Sequence, residues 1–151
     1  MQQKPNAAAV IKGGPDHPGI NGTVEFYHTK MGVLVSARVS GLPTGNNICE
    51  KPIFAFHIHS GGSCTGNTSD YFADVSSHYN PWSCPHPYHA GDMPPLFGVD
   101  GFAFLTFLTD RFSIEEIIGK TVIIHSGSDD FSTQPSGNYG SKIACGVINP
   151  A

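Results

Sequence analysis

Val33–Ser40 reads VLVSARVS. Val33, Val35, Ala37 and Val39 alternate with Leu34, Ser36, Arg38 and Ser40, and a period of two marks a half-buried β-strand. Upstream, Ile20–His28 (INGTVEFYH) is rich in β-forming residues and alternates loosely. Thr29-Lys30-Met31-Gly32 breaks that run, so the two strands read as a hairpin. Further back, Ala7–Lys12 is a short apolar run that stops at Gly13-Gly14-Pro15. Downstream, Gly41-Leu42-Pro43 ends the central strand and Ile53–His59 (IFAFHIH) begins another. Asp92–Phe97, Phe102–Leu108 (FAFLTFL), Thr121–His125 (TVIIH) and Lys142–Ile148 (KIACGVI) follow. Phe102–Leu108 is aromatic at 102, 104 and, one step out of phase, 107. Ser113–Ile118 fits one helical turn, because Ser113 and Glu116 have capping-box spacing and Gly119 stops it. About eight short antiparallel strands with two long functional loops make an all-β barrel or sandwich.

Composition agrees. The 151 residues fit one domain spanning 1–151, long enough to bury a core. Only 13% are charged, against about 25% in an average globular chain. The 18 glycines and 12 prolines call for many turns. Net charge is −4 and no Lys/Arg run exists, so nucleic acid is not an expected partner. No apolar run approaches the roughly 20 residues that span a membrane. A signal peptide is not visible, and MQQKPNAAAV reads as an added Met on a processed start. The cysteines at 49, 64, 84 and 145 form no CxxC pair. Disulfides in an oxidising compartment suit them better than a thiolate metal site, and sequence alone leaves three pairings open.

The chemistry concentrates in His78–Asp92, HYNPWSCPHPYHAGD. Pro81, Pro85 and Pro87 oppose a helix there. His78, His86, His89 and Asp92 supply the imidazole nitrogens and carboxylate oxygen that a tetrahedral zinc site uses. A single loop histidine carries little weight; three beside an aspartate within one short loop read as a metal site. On the strand before it, His57 and His59 are two residues apart and project to one face, a ready pair for copper or zinc. His125 ends a later strand. His17 and His28 read as loop or surface histidines without metal. Gly61–Ser77 has no clear periodicity and joins the His78–Asp92 loop in one long connection; loops of that length in a compact domain usually carry function.

FHIHSGGSC (56–64), HYNP (78–81), HAGDMPPL (89–96), VIIHSGSDD (122–130) and GNYGSKIACGVI (137–148) together resemble the copper/zinc superoxide dismutases. They occur in the family's order with near-family spacing and cover most of the chain from residue 53. The resemblance implies an eight-stranded antiparallel Greek-key β-barrel. It implies copper held by His57, His59, His78 and His125. It implies zinc held by His78, His86, His89 and Asp92, with His78 bridging the two ions. Asp129 resembles the outer carboxylate that orients ligands of both metals. Cys64–Cys145 matches the family disulfide; Cys49 and Cys84 are then left to each other, a bridge the family does not supply. The implied substrate is the superoxide anion. The expected disulfides favour an extracytoplasmic compartment (secreted, periplasmic or cell-surface). A homodimer is left open.

Two departures stand out. Lys142 occupies the place of the family's usual arginine. A lysine keeps the positive charge but replaces a rigid two-donor fork with a mobile point charge, so guidance of superoxide is expected to be looser and the rate lower. The segment between His86 and His89 and the stretch 126–141 are shorter than in the common eukaryotic form, so its other steering residues and its dimer mode do not carry over. Two other functions compete with the enzyme: a copper-binding or copper-delivery module on the same fold, and a structural zinc domain with His57 and His59 idle.

Overall fold

Alternating apolar positions become eight strands in the structure, a computed structural model describing residues 3–151. They are β1 (Ala7–Gly13), β2 (Asn21–Thr29), β3 (Gly32–Ser40), β4 (Ile53–His59), β5 (Asp92–Phe97), β6 (Ala103–Thr109), β7 (Thr121–His125) and β8 (Lys142–Pro150). Every pairing is antiparallel, in the order β5-β4-β7-β8-β1-β2-β3-β6. The chain runs β1-β2-β3 as neighbours and then crosses to the β4–β5 pair. It returns to lay β6 beside β3, crosses again to put β7 beside β4, and closes with β8 between β7 and β1. That is the Greek-key path of the expected barrel. The end strands β5 and β6 approach each other without a shared ladder, so the barrel is nearly closed. β5 carries Pro94 and Pro95, which an end strand tolerates because its outer N–H groups have no ladder partner.

The core is the inward set of these alternations. In β3 the buried residues are Val33, Val35, Ala37 and Val39, and they meet Val24, Phe26, Phe54, Phe56, Ile58, Val122 and Ile124. In β6 the phase is the reverse of what its aromatic residues suggest. Ala103 is buried, while Phe102 and Phe104 are exposed and the Arg38 guanidinium lies 5.4 Å from the Phe104 ring centre. Period two fixes which residues share a face, but bulk does not tell which face is inside. The helical turn forms at Ile114–Ile117 with both halves of its capping box made: the Ser113 hydroxyl accepts from the Glu116 N–H, and Glu116 Oε2 accepts from the Ser113 N–H.

Strands β4 and β7 position the site, and almost all their residues are buried on both faces. The inner face is core. The outer face carries Ala55, His57 and His59 on β4 and Thr121, Ile123 and His125 on β7, and the two long connections cover it. Phe72 and Val75 of the 60–77 connection pack on Ile123 and Cys145 as a second, smaller apolar cluster. The Cys64–Cys145 disulfide ties the same connection to β8.

The second bridge is not made. Cys49 and Cys84 are free, Cys49 exposed in a short turn at Ile48–Glu50 and Cys84 half-buried in the 78–92 loop. Two other contacts hold these positions: the Asn47 side chain accepts from the Cys49 N–H, and the Asn80 amide both accepts from the Cys84 N–H and donates to its carbonyl. Each cysteine sits in its own turn, and the two turns do not join the sulfurs.

Candidate metal centre

His57, His59, His78 and His125 come together as four buried imidazoles whose ligand atoms lie within 4.8 Å of one another. His57 and His59 project from the outer face of β4 and His125 from the end of β7. His78 is brought against β4 by a bridge between His59 and His78. His78, His86, His89 and Asp92 form a second group of the same compactness, and His78 belongs to both. A third group, His57, His86 and Asp129, links them from behind.

Hydrogen bonds decide which ring nitrogen each histidine offers. Asp129, almost fully buried, accepts from His57 Nε2 at 2.8 Å and from His86 Nε2 at 2.7 Å. Both rings therefore carry their proton on Nε2, leaving the Nδ1 lone pairs free. His59 Nδ1 donates to the Ser76 carbonyl at 2.8 Å, which frees its Nε2. His57 Nδ1, His59 Nε2, His86 Nδ1 and both ring nitrogens of His125 are buried without a hydrogen-bond partner, while Asp92 Oδ1 has only the His78 ring, at 2.9 Å. Orphaned polar atoms are rare because each costs about 1–3 kcal/mol. Here they belong to the two compact ligand groups, which is how a metal site looks from its ligands.

Burial pushes the His57 imidazole down to about 4, with the Asp129 hydrogen bond opposing, and the His59 imidazole down to about 3. Burial also holds His125 well below the ordinary value, and His57, His59 and His78 beside it act in the same direction. These rings are neutral at pH 7, the form that binds metal. Burial pushes the Asp129 carboxyl up, but the hydrogen bonds from His57 and His86 outweigh it and hold the group below the usual carboxylate range. Asp92 follows the same balance, its burial outweighed chiefly by His78.

A model of the copper/zinc superoxide dismutase family matches residues 20–148, nearly the whole barrel and every residue of both clusters. The chain belongs to that family. Superoxide dismutase [Cu-Zn] 2 of Aquifex aeolicus is 34% identical over 142 residues, covering 84% of this chain and 78% of that protein. The superoxide dismutase [Cu-Zn] of Legionella pneumophila is 33% identical over 149 residues, covering 93% and 85%. Among solved structures, a double mutant of a SOD-like protein from Bacillus subtilis superposes with a TM-score of 0.74 at 28% identity, covering 94% of this chain and 96% of that one.

The residues fit the family's two ions. Four imidazoles with no carboxylate suit copper, and three imidazoles with one carboxylate suit zinc. The zinc-side loop is held in shape by its own contacts. Gln134 clasps the His86 backbone through both its amide oxygen and its amide nitrogen, at 2.9 and 2.7 Å. Arg111 donates to the Pro87 carbonyl at 2.8 Å, and Asp92 Oδ2 accepts from the His89 N–H.

Three neighbours of the site are ones the sequence reading passed over. The Tyr139 ring lies 3.6 Å from the His125 ring centre, and its hydroxyl is 3.1 Å from His78 Nε2. Gly137 has φ +94°, and a Cβ there would overlap Asp129 and crowd His86. Asp70 holds Lys142: the lysine Nζ donates to Asp70 Oδ2 at 2.6 Å and lies 3.5 Å from the Phe72 carbonyl. Tyr139 and Gly137 sit inside the GNYG stretch beside Lys142, which was the available signal. For Asp70, 72 residues from Lys142, there was none. Lys142 is thus at the site but not free: it lines a cavity of about 480 Å³ together with His59, His78 and Tyr139.

His17 and His28 take no part in either cluster. His28 is exposed and pairs with Glu115 at 3.1 Å.

Proposed function

We propose that the protein removes superoxide, converting two superoxide anions and two protons into one dioxygen and one hydrogen peroxide. One observation carries this: two compact ligand clusters share His78, and most of their imidazoles keep a buried ring nitrogen without a hydrogen-bond partner. Copper, when bound by His57, His59, His78 and His125, supplies the one-electron Cu(II)/Cu(I) exchange, while zinc supplies a fixed charge beside it. His78 has one ring nitrogen toward each cluster. Nδ1 lies 2.9 Å from Asp92 Oδ1 and 3.1 Å from His89 Nδ1 on the zinc side, which leaves Nε2, 3.1 Å from the Tyr139 hydroxyl, for the copper side. That second nitrogen is the atom that takes up a proton when free and hands it to the reduced substrate. Asp129 fixes the tautomers of His57 and His86, and so keeps both sets of lone pairs aimed. Lys142 presents the positive charge that draws a small anion into the cavity. Lys142→Glu is therefore expected to slow the reaction steeply at low salt; an unchanged rate would remove this role.

The test is superoxide decay after pulse radiolysis. Protein loaded with copper and zinc is compared with zinc-only protein and with free copper plus chelator. Rapid decay that needs copper and survives the chelator is expected. No decay above the zinc-only control, with copper shown to be bound, would give the site to copper delivery instead. The Cys64–Cys145 disulfide supports an extracytoplasmic compartment, since such bonds persist where the surroundings oxidise. A homodimer is the assembly we carry forward, on the exposed apolar side chains Phe97, Val99, Phe102 and Phe104 about the barrel's end strands. A sedimenting species of 16.1 kDa at all concentrations would rule it out.

A further inference from the structure

The lysine that stands for the family's arginine has a carboxylate on its ammonium. Lys142 opens β8 and pairs across the sheet with His125. Its Nζ donates to Asp70 Oδ2 at 2.6 Å. Asp70 is no loose surface group. Its Oδ1 accepts from the Phe72 N–H at 3.1 Å, and its own N–H donates to Asn67 Oδ1 at 3.0 Å. The connection that carries it is fastened to β8 by the Cys64–Cys145 bond and by Phe72 and Val75 against Ile123. The pair is thus set by two rigid pieces.

Its position is also particular. Lys142 and Tyr139 both line the cavity that holds His59 and His78, and both also line an adjoining cleft of about 560 Å³ with Asp16, His17 and Asp70. Among the described residues lining the two spaces, Lys142 is the one Lys or Arg, whereas Asp16 and Asp70 are both carboxylates. An approaching anion therefore meets a pair and not a bare charge. The field of a charge pair falls off faster with distance than that of a single charge, so long-range attraction is weak until the anion reaches the ammonium itself.

We propose that Asp70 is a positioning residue for anion entry: its carboxylate competes with the anionic substrate for the Lys142 ammonium, and so sets anion affinity and its salt dependence at the copper side. The inference rests on the reading of Lys142 as the group that attracts superoxide. Asp70 touches neither substrate nor metal ligand and acts through Lys142.

The test uses the full chain loaded with copper and zinc, with azide as an anion probe titrated against the Cu(II) spectrum, alongside superoxide decay. Asp70→Asn keeps an oxygen for the Phe72 N–H and removes the charge. Azide is expected to bind Asp70→Asn about threefold to tenfold more tightly at low ionic strength, with superoxide decay faster by a similar factor. Both gains should shrink as salt rises, because an unpaired charge is screened and a paired one has little left to screen. In Lys142→Gln, azide binding weakens, and adding Asp70→Asn to it gives a smaller gain than Asp70→Asn gives alone, because only the carboxylate's own repulsion is left to relieve. Unchanged or weaker azide binding in Asp70→Asn, while Lys142→Gln still weakens it, overturns the proposal and leaves the Lys142 reading standing. If Lys142→Gln leaves azide binding unchanged, the reading of Lys142 fails and the proposal with it. A readout on the unmutated protein guards against a loop that loosens in the variant: its azide affinity should change less than twofold between low and physiological salt, and a steep dependence would also overturn the proposal.

Discussion

Asp129 does at the residue scale what neither metal cluster can do alone. One carboxylate takes a proton-bearing nitrogen from each side, His57 at 2.8 Å and His86 at 2.7 Å, and so chooses the tautomer of a ligand in each cluster. Asp129→Asn leaves one oxygen and turns an amide N–H₂ toward the other ring N–H. One of the two rings must then turn or move its proton to the metal-facing nitrogen. Loss of such outer contacts typically costs 10–100-fold in metal affinity, and we expect about that for at least one ion. Competition with a chelator, read separately for copper and zinc, measures it; unchanged affinity for both would mean that packing alone sets the tautomers. Gly137→Ala reaches the same carboxylate from outside. The added methyl must displace Asp129, and the backbone there is left-handed, so the residue is strained as well as crowded. Metal affinity is expected to fall in this variant with no ligand changed, and retained affinity would show that the 126–141 stretch yields around the methyl. These residues also mark how far the sequence could be read. The HxH of β4 and the dense 78–92 loop announce ligands by spacing alone. Asp129 needed a family resemblance. Gly137, Tyr139 and Asp70 act through space on partners fixed only once the barrel closes.

At the scale of elements, the strands were legible because each is a short run of β-forming or apolar residues bounded by turn residues, and β3 carries a clear period as well. The connections were not, because what holds them lies elsewhere in the chain. The 60–77 connection shows no periodicity, yet it packs Phe72 and Val75 onto β7, lends the Ser76 carbonyl to His59 and Asp70 to Lys142, and is bonded to β8 through Cys64. β6 shows the opposite failure, a clear period whose inward face was hidden because its aromatic residues split between the faces, Phe104 out and Phe107 in. The Cys64–Cys145 bond spans 81 residues, so it restricts the unfolded chain strongly. Removing it with Cys64→Ala and Cys145→Ala is expected to lower stability by roughly 2–5 kcal/mol. It should also loosen the connection that orients His59. The denaturation midpoint measures the first effect and copper affinity the second. A large loss of stability with unchanged copper affinity would show that Phe72 and Val75 hold the connection without the bond.

The whole molecule places six imidazoles in its interior, and burial holds four of them, His57, His59, His89 and His125, below their ordinary value; this makes its stability respond to acid in a definite direction once metal is stripped away. In the unfolded chain each histidine takes up a proton near 6.5. In the folded chain burial holds His57 at about 4, His59 at about 3 and His125 well below 6.5. Between those limits the unfolded state binds more protons, so unfolding becomes easier as pH falls. The contribution is complete above pH 6.5 and is lost progressively as pH drops through 6.5 toward 4 and 3. The buried carboxylates add to it at the acid end. Asp92 and Asp129 are held below their ordinary values, so the stability they give is present at neutral pH and lost at the bottom of the same range. The urea midpoint of the metal-stripped protein is therefore expected to be flat from pH 8 to 7 and to fall steadily from 6.5 to 4. Loaded protein should start higher and fall more steeply, because protonating the ligands also expels the ions that stabilise the folded chain. A stripped-protein midpoint that stays level or rises toward pH 5 would mean that these rings are solvated in the absence of metal, and that the outer face of β4 and β7 is covered only when metal is bound.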